Sequence, residues 1–120
     1  MTKYEVIVKT NLADLPKEHE LSAALILAYH FKADVIFLRP QTDKTPDIDV
    51  KGIRWEIKSP KGNAKETIEN NLRTARKQSA NIVIDLARSK MHSTRAVARA
   101  SFYIRTEAHA IKRLKIIDII

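Results

Sequence analysis

Two carboxylates and a lysine share one face of a predicted β-hairpin, and this grouping is the part of the sequence best suited to chemistry. Lys51-Gly52 predicts a two-residue turn, because glycine supplies the positive φ that such a turn needs. Pairing the flanking strands around it matches apolar with apolar and polar with polar residues, and it places Asp47 opposite Glu56. Lys58 follows on the same face, about 6.6 Å further along the strand. Two acids can hold a hard cation such as Mg²⁺ beside an ammonium, so the trio suits metal-dependent cleavage of a phosphodiester.

The opposition of the two acids is the informative part of this pattern. Carboxylates placed directly across an antiparallel pair lie about 5 Å apart and repel each other by roughly 3 kcal/mol at an effective dielectric of about 20. A bound cation or a raised carboxylate pKa would relieve that repulsion. Glu-x-Lys alone is common on solvated strands, but a solvated face gives no reason for Asp47 to oppose Glu56. Asp49 is predicted opposite Arg54, where an exposed ion pair explains it, so it is at best a secondary metal ligand.

Composition limits the classes of function. The chain has 120 residues, of which 44% are hydrophobic, and this predicts one domain with a modest core. The absence of cysteine excludes disulfides, thiolate chemistry and cysteine zinc sites, and the four histidines lack H-x-x-x-H spacing. Neither an export signal nor an apolar stretch of about 20 residues is present, so no membrane segment is predicted.

Charge is distributed unevenly along the chain, which carries a net charge of +8. Residues 1–50 hold 6 basic and 8 acidic side chains, whereas residues 51–120 hold 16 and 6. A sustained positive field favours a polyanion, most often nucleic acid, although an anionic membrane, an acidic protein or plainly solvated helix faces also explain the charge alone. The candidate phosphate-binding residues are Lys61, Arg73, Arg88, Arg95 and Arg99. Arg95 and Arg99 share one helix face through their four-residue spacing.

Hydrophobic periodicity predicts the elements that would position these residues. In chain order they are a strand at 4–8, a helix from about Pro16 to Phe31, a strand at 33–38, the hairpin, a helix at 65–79, a strand at 81–87, a helix at 93–111 and a strand at 114–119. The residues predicted to face inward are Leu21, Ala24, Leu25 and Ala28 in the first helix, Ile68, Leu72, Ala75 and Ser79 in the second, and Val97, Ala100, Ile104, Ala108 and Ile111 in the third. The near-continuous apolar run at 81–87 is typical of a central strand. Asp85 within it is interpreted as a hydrogen-bonded structural acid or an arginine partner rather than a catalytic one.

The order of elements, with Pro46-Asp47 and Glu56-Ile57-Lys58 on the hairpin, resembles the PD-(D/E)xK nuclease superfamily. More of the chain can be compared: residues 34–86, which include P-D-I-D-V-K-G-I-R-W-E-I-K-S-P-K-G, N-N-L-R-T-A-R-K-Q-S and N-I-V-I-D-L, are similar to the C-terminal nuclease domain of contact-dependent growth inhibition toxins. The resemblance implies an α/β (α+β) fold in which helices flank a central mixed sheet, with a restriction-endonuclease-like core in a single domain over residues 1–120.

The same resemblance implies a metal-dependent ribonuclease toxin that cleaves tRNA and is neutralised by a cognate immunity protein covering the active site. It implies delivery from a secreted parent toxin and action in the bacterial cytoplasm. Asp47 and Glu56 would hold Mg²⁺, and Lys58 would serve the nucleophile or the developing charge. In such nucleases an acid of the first helix often joins the site, and here Glu18 or Glu20 could do so, with Glu20 preferred. The alternative for either is an exposed first-turn acid favoured by the helix dipole.

Two other functions stay open. A DNA endonuclease of the same superfamily would use the same residues on another substrate. A noncatalytic nucleic-acid-binding or toxin-neutralising module would use the hairpin acids as scaffolding, although an aromatic content of 6% disfavours a stacking platform for single strands.

Overall fold

The structure is a computed structural model that describes residues 3–10, 12–42, 45–62, 64 and 66–118. Within these residues, one six-stranded sheet and three α-helices account for the architecture. The elements are β1 (Val6–Val8), α1 (Glu18–Phe31), β2 (Val35–Phe37), β3 (Ile48–Val50), β4 (Ile53–Lys58), α2 (Thr67–Ala75), β5 (Asn81–Asp85), α3 (Ser93–Glu107) and β6 (Arg113–Ile117), with a 3-10 turn at Leu12–Asp14 before α1. The predicted fold class, a mixed sheet flanked by helices, is confirmed, as is the order of elements.

The strands follow each other across the sheet in chain order, and only β3 runs against the rest. It pairs antiparallel with β2 and β4, while β1 pairs parallel with β2, and β4, β5 and β6 are mutually parallel. The carboxyl ends of five strands and the amino end of β3 therefore lie together at one end of the sheet. Residues that follow β4 or precede β3 are brought together there.

The core lies on both faces of the sheet. Helix α1 covers one face and packs against Trp55, Ile57 and Val83, whereas α2 and α3 cover the other and pack against Ile82 and Ile84. Strand β5 sends alternate side chains into two buried layers, and its three inner residues, Ile82, Val83 and Ile84, are accordingly all apolar. It is an internal strand as expected, but it lies next to the edge rather than at the centre, because β6 is the last strand of the sheet.

The hairpin has the predicted turn and register. Val50 pairs with Ile53, and the next two pairs follow in step. Lys51 has φ 54° and Gly52 has φ 83°, the two positive values that a type I′ turn requires. The register prediction is therefore confirmed over the three pairs of the ladder.

The first helix turns a different face to the sheet from the one predicted. It begins at Glu18 after Lys17 as N-cap, so Pro16 precedes the helix instead of starting it. Leu21 and Leu25 are 40% and 51% exposed, so their inward placement was wrong. The buried residues are Ala23, Ala24, Leu27 and Ala28. Three small alanines allow close approach to the sheet, and Leu27 fills the space between them.

The other two helices end earlier than predicted. Ile68, Leu72 and Ala75 are buried as expected, but α2 ends at Ala75, and Ser79 lies in the following loop, where its hydroxyl donates to the Arg54 carbonyl at 2.9 Å. Lys65, the predicted start, lies outside the described residues.

Helix α3 ends at Glu107, so the predicted helical positions Ala108 and Ile111 are buried in the connection that follows. Val97 is 49% exposed instead of inward, and Tyr103 takes the buried position. Strand β6 ends at Ile117 in the structure, and the predicted end at Ile119 lies outside the described residues. No helix in the described part of the chain is long and apolar enough to cross a membrane.

Candidate active site

Asp47 and Glu56 meet where the hairpin ladder stops. Continuing the register by one position places them across from each other at a non-hydrogen-bonded pair, where side chains approach most closely. The following position would pair residue 46 with Ile57, but Pro46 has no N–H to donate. The ladder is therefore incomplete at this position, and the Ile57 N–H donates to Asp47 Oδ2 at 2.9 Å rather than to the Pro46 carbonyl, which fixes the Asp47 carboxyl. The Asp47 and Glu56 carboxyls are close enough for each to influence the pKa of the other.

Glu56 is buried and holds on to a proton, and Asp47 beside it is half-buried. Glu56 is only 2% exposed. Burial, and then the negative charge of Asp47, raise the pKa of Glu56 to about 8, and the ammonium of Lys58 opposes that rise. Burial also raises the pKa of Asp47, against the hydrogen bond from Ile57. Glu56 therefore keeps its proton at neutral pH, which relieves the repulsion expected of facing acids.

Lys58 lies beside this pair. Its Nζ is 3.4 Å from Glu56 Oε2, and its side chain is 25% exposed, so it connects the buried acids to solvent. The other oxygen, Glu56 Oε1, is buried and accepts no hydrogen bond from an N–H or hydroxyl group. A buried carboxylate oxygen without a donor has room for another electropositive partner.

Glu20 also reaches this region. Its charge contributes to the raised pKa of Asp47, and both side chains line a small cavity of about 90 Å³. Thr10 and Asp14 line the same cavity, and the Thr10 hydroxyl is buried without a hydrogen-bond partner. Glu20 has a second task, because its Oε1 accepts the Lys17 N–H at 2.9 Å at the start of α1. Of the two first-turn acids considered, it is Glu20 that lies at the cavity with Asp47.

The ligands available suit an oxygen-binding cation that keeps several of its water molecules. Among the residues that the structure describes, no group of three or more His, Cys, Asp or Glu side chains could hold a metal ion. Asp47 and Glu56 therefore offer two protein ligands. Mg²⁺ is commonly held by one or two carboxylates, with water and substrate phosphate completing its coordination. The residues fit that kind of site and not a closed all-protein cage.

Two other acids near the site have structural partners. Asp49 lies opposite Arg54 as predicted, but no ion pair joins them. Its Oδ1 accepts the Gly52 N–H at 2.9 Å, because the short side chain of an acid three residues earlier reaches back across the turn. Asp85 is 1% exposed, and its Oδ1 accepts the Ala87 N–H at 3.0 Å. Both carboxylates thus stabilise backbone turns.

The predicted phosphate-binding residues fall into two groups. Arg88 donates to the Ser59 carbonyl at 2.8 Å, directly after Lys58, and Lys61 is exposed in the same loop. On the helical face, Arg95 is exposed. The other two have acidic neighbours: Arg73 lies 3.8 Å from Glu107, and Arg99 lies 3.9 Å from Glu69. The first group adjoins the acidic pair, and the second lies on α2 and α3.

Comparison with known proteins places the chain in a family. Residues 44–119 match the sequence profile of the contact-dependent growth inhibition CdiA C-terminal domain. The chain belongs to this family. The matched region contains Asp47, Glu56 and Lys58, whereas Glu20 precedes it. A search of curated protein sequences found no match.

A solved structure shares the fold of this family member. It is described as a CdiA-CT/CdiI toxin and immunity complex from Burkholderia pseudomallei. The TM-score is 0.58 at 20% sequence identity, over 95% of this chain and 92% of that chain. At that identity the likeness concerns the fold.

Sequence reasoning missed the residues that complete the surroundings of the acidic pair. Thr10 reaches the cavity only because β1 pairs with β2, and no local sequence pattern predicts that pairing. The Arg88–Ser59 bond, together with a bond from the Ser89 hydroxyl to the Gly62 carbonyl at 2.9 Å, ties the loops after β4 and β5. The serine next to Lys90 was the available signal, since such loop serines often bond to nearby backbone.

Proposed function

We propose that this CdiA C-terminal domain is a metal-dependent ribonuclease toxin with PD-(D/E)xK chemistry. The observation that carries the proposal is the grouping of half-buried Asp47 with buried Glu56, and of Lys58 Nζ 3.4 Å from Glu56. In this proposal Asp47 and Glu56 hold Mg²⁺ and Glu20 supports Asp47. The orphaned Glu56 Oε1 supports it, because a buried oxygen without a partner is unfavourable unless a ligand satisfies it.

A bound divalent cation would supply Lewis-acid polarisation of the phosphate and a more acidic water. The chain's own groups have separate tasks. The Ile57 N–H keeps the Asp47 carboxyl pointing at Glu56. Lys58 offers a positive charge at the mouth of the site, where charge develops on the phosphate oxygens. The Glu56 proton must leave before both carboxylates can bind a cation, because metal ligands must be deprotonated.

The substrate and the partner rest on further observations. The net charge of +10 over residues 51–120, from 16 basic and 6 acidic side chains, supports a polyanionic substrate. Lys61 and Arg88 lie in the loops next to the acidic pair and suit phosphate contacts. Arg73, Arg95 and Arg99 would extend that contact surface along α2 and α3. The choice of tRNA rests on resemblance within the family.

The structural relative's description as a toxin and immunity complex supports an immunity protein as partner. Family membership supports delivery from a secreted parent toxin, and we propose action in the cytoplasm of the target bacterium.

The test compares substrates and variants in one set of gels. The purified domain is incubated with total tRNA, ribosomal RNA and supercoiled plasmid, each with Mg²⁺ and with EDTA. We expect tRNA cleavage in Mg²⁺ that EDTA abolishes, and a loss of at least about 100-fold for Asp47→Asn, Glu56→Gln and Lys58→Met. Asp49→Asn is the matched control, because its carboxylate is engaged by the turn at Gly52 and should leave cleavage intact.

Each other outcome is decisive. Cleavage of plasmid without cleavage of RNA would assign the site to DNA. Full activity in a folded Asp47→Asn or Glu56→Gln protein would remove the acidic pair from catalysis. Binding without cleavage of any substrate, unchanged by EDTA, would favour a noncatalytic nucleic-acid-binding module.

A further inference from the structure

Strand β6 forms an open edge of the sheet, next to the site but outside it. It pairs with β5 on one side, and among the described residues no strand pairs with its other side. Two strand spacings of about 4.8 Å separate β6 from β4, so the edge lies roughly 10 Å from the strand that carries Glu56 and Lys58. A partner held at this edge would lie beside the candidate active site.

The backbone groups that point outward can be identified. The Arg113 N–H donates to the Ala80 carbonyl, and the Ile117 carbonyl accepts the Leu86 N–H. Because the direction of these groups alternates along a strand, residues 113, 115 and 117 bond toward β5. The N–H and carbonyl groups of Leu114 and Ile116 therefore point away from the sheet. They form a short row of donors and acceptors available to another strand.

Apolar grooves border this row on both faces. On the α3 face, a groove of about 510 Å³ is lined by Val97, Ile104, Leu114 and Ile116. Val97 is 49% exposed there, and both β6 residues are only half-buried. On the α1 face, a groove of about 380 Å³ is lined by Phe31, Ile53, Trp55, Arg113, Leu114 and Lys115. Alternate side chains of one added strand would enter the two grooves and cover these apolar surfaces.

The charge of the residues at this edge indicates which kind of partner it binds. Lys112 and Arg113 are exposed at the start of β6, Lys115 follows within it, and Arg105 lines the α3 groove. Basic residues on an edge strand oppose pairing with a like strand, so a second copy of this chain is disfavoured, whereas an acidic strand is attracted. A nucleic acid would neutralise the positive charge, but it would not pair with the outward N–H and carbonyl groups of β6 or fill the apolar grooves.

We infer that β6 is a docking edge that receives an acidic, extended segment of the immunity protein by strand addition. The identity of this partner rests on the proposed function, but the mode of binding rests on the open edge, its two grooves and its basic residues. Strand addition gives affinity through backbone hydrogen bonds, and the alternating pockets and charges give specificity. The partner would thus be anchored at the edge while its body reaches the acidic pair about two strands away.

Amide hydrogen exchange tests this with the cognate immunity protein as the probe. The isotopically labelled domain is measured by NMR alone and with the unlabelled immunity protein. Exchange at Leu114 and Ile116 should slow by at least about tenfold in the complex, while the amides of Lys115 and Ile117, already bonded to β5, should change little.

Variants test the same edge through affinity. Ile116→Pro removes an outward N–H and should weaken binding well beyond Ile116→Ala, which removes the side chain alone. Lys112→Glu should weaken binding by at least about fivefold, whereas Lys51→Glu, at the hairpin turn, should have no effect.

The outcomes separate this inference from the proposed function. Absence of any complex would remove the immunity protein as partner and thereby the proposed toxin role. A tight complex in which Leu114 and Ile116 exchange as fast as in the free domain would overturn strand addition alone, and the exchange measurement needs no folded variant. Self-association of the free domain through β6 would assign the edge to a second copy. Loss of RNA cleavage in Lys112→Glu with unchanged affinity for the immunity protein would assign it to nucleic acid.

Discussion

Glu56→Gln should change how stability depends on pH, since glutamine cannot ionise but keeps the shape and the donor of a protonated glutamate. Burial and the neighbouring Asp47 raise the pKa of Glu56 from 4.5 to about 8. Between these values the folded wild-type protein binds a proton that the unfolded chain has released, so stability falls as pH rises. The contribution is fully present below pH 4.5 and is lost as pH passes about 8. The variant keeps the interactions of the protonated form at every pH, so it lacks this pH-dependent loss.

The size of the effect follows from the two pKa values. With 4.5 in the unfolded chain and about 8 in the folded protein, the wild type loses about 4 kcal/mol relative to the variant between pH 5 and pH 9. For a domain of this size that corresponds to a relative shift in Tm of roughly 10–20 °C. Titration of groups outside the acidic pair is common to both proteins and cancels in the difference.

Urea unfolding of both proteins in EDTA, at pH values from 5 to 9, measures this difference. Free energies of unfolding should converge toward low pH for the wild type and the variant, and the variant should become the more stable protein as pH rises. Parallel curves over the whole range would refute the reasoning, because they would mean that Glu56 titrates alike in the folded and unfolded states. The matched control is Glu18→Gln, which changes an exposed acid in the same way and should leave the pH dependence of stability unchanged.

Two further predictions concern the fold. Leu27→Ala should lower the free energy of unfolding by about 2–5 kcal/mol, because Leu27 is 1% exposed and packs against the sheet. The control Leu25→Ala, at a position 51% exposed, should change it by less than about 1 kcal/mol. Equal losses in urea unfolding would contradict the observed helix face. Lys51→Asn should stabilise the hairpin by about 0.5–1 kcal/mol, since asparagine tolerates the φ of 54° better than lysine, and a lower Tm than the wild type would argue against the type I′ turn.

The sequence specified the hairpin well because several signals agreed there. Glycine at the turn, alternating polarity and the matching of apolar pairs all favoured one register, and the ladder from Val50–Ile53 to Ile48–Trp55 has it. The faces of α1 and α3 were specified poorly. In α1 the sequence offers both a Leu21–Leu25 stripe and an alanine-rich stripe, and helical periodicity cannot tell which one meets the sheet. Only the close approach of the helix to the sheet, which favours small residues, decides between them.

The acidic pair could be predicted, but its surroundings could not. Asp47 and Glu56 follow from strand register, which is local. The cavity shared by Asp47, Glu20 and Thr10 joins three segments distant in sequence, and their proximity depends on sheet order and on where α1 crosses it. The ion pair predicted between Asp49 and Arg54 does not form, because the nearer Gly52 N–H donates to the Asp49 carboxylate.

The acidic pair combines several features that lower stability, which supports the role proposed for it. The ladder of β3 and β4 stops at Ile48, and the Ile57 N–H bonds to a side chain instead of the next backbone carbonyl. Next to that interruption, Glu56 is buried at 2% exposure, with one oxygen lacking a donor. An apolar or amide residue would bury at lower free energy there, since unpaired buried carboxylates are destabilising. At Glu56 these unfavourable features occur together beside Lys58, and this combination supports the chemistry proposed for the site.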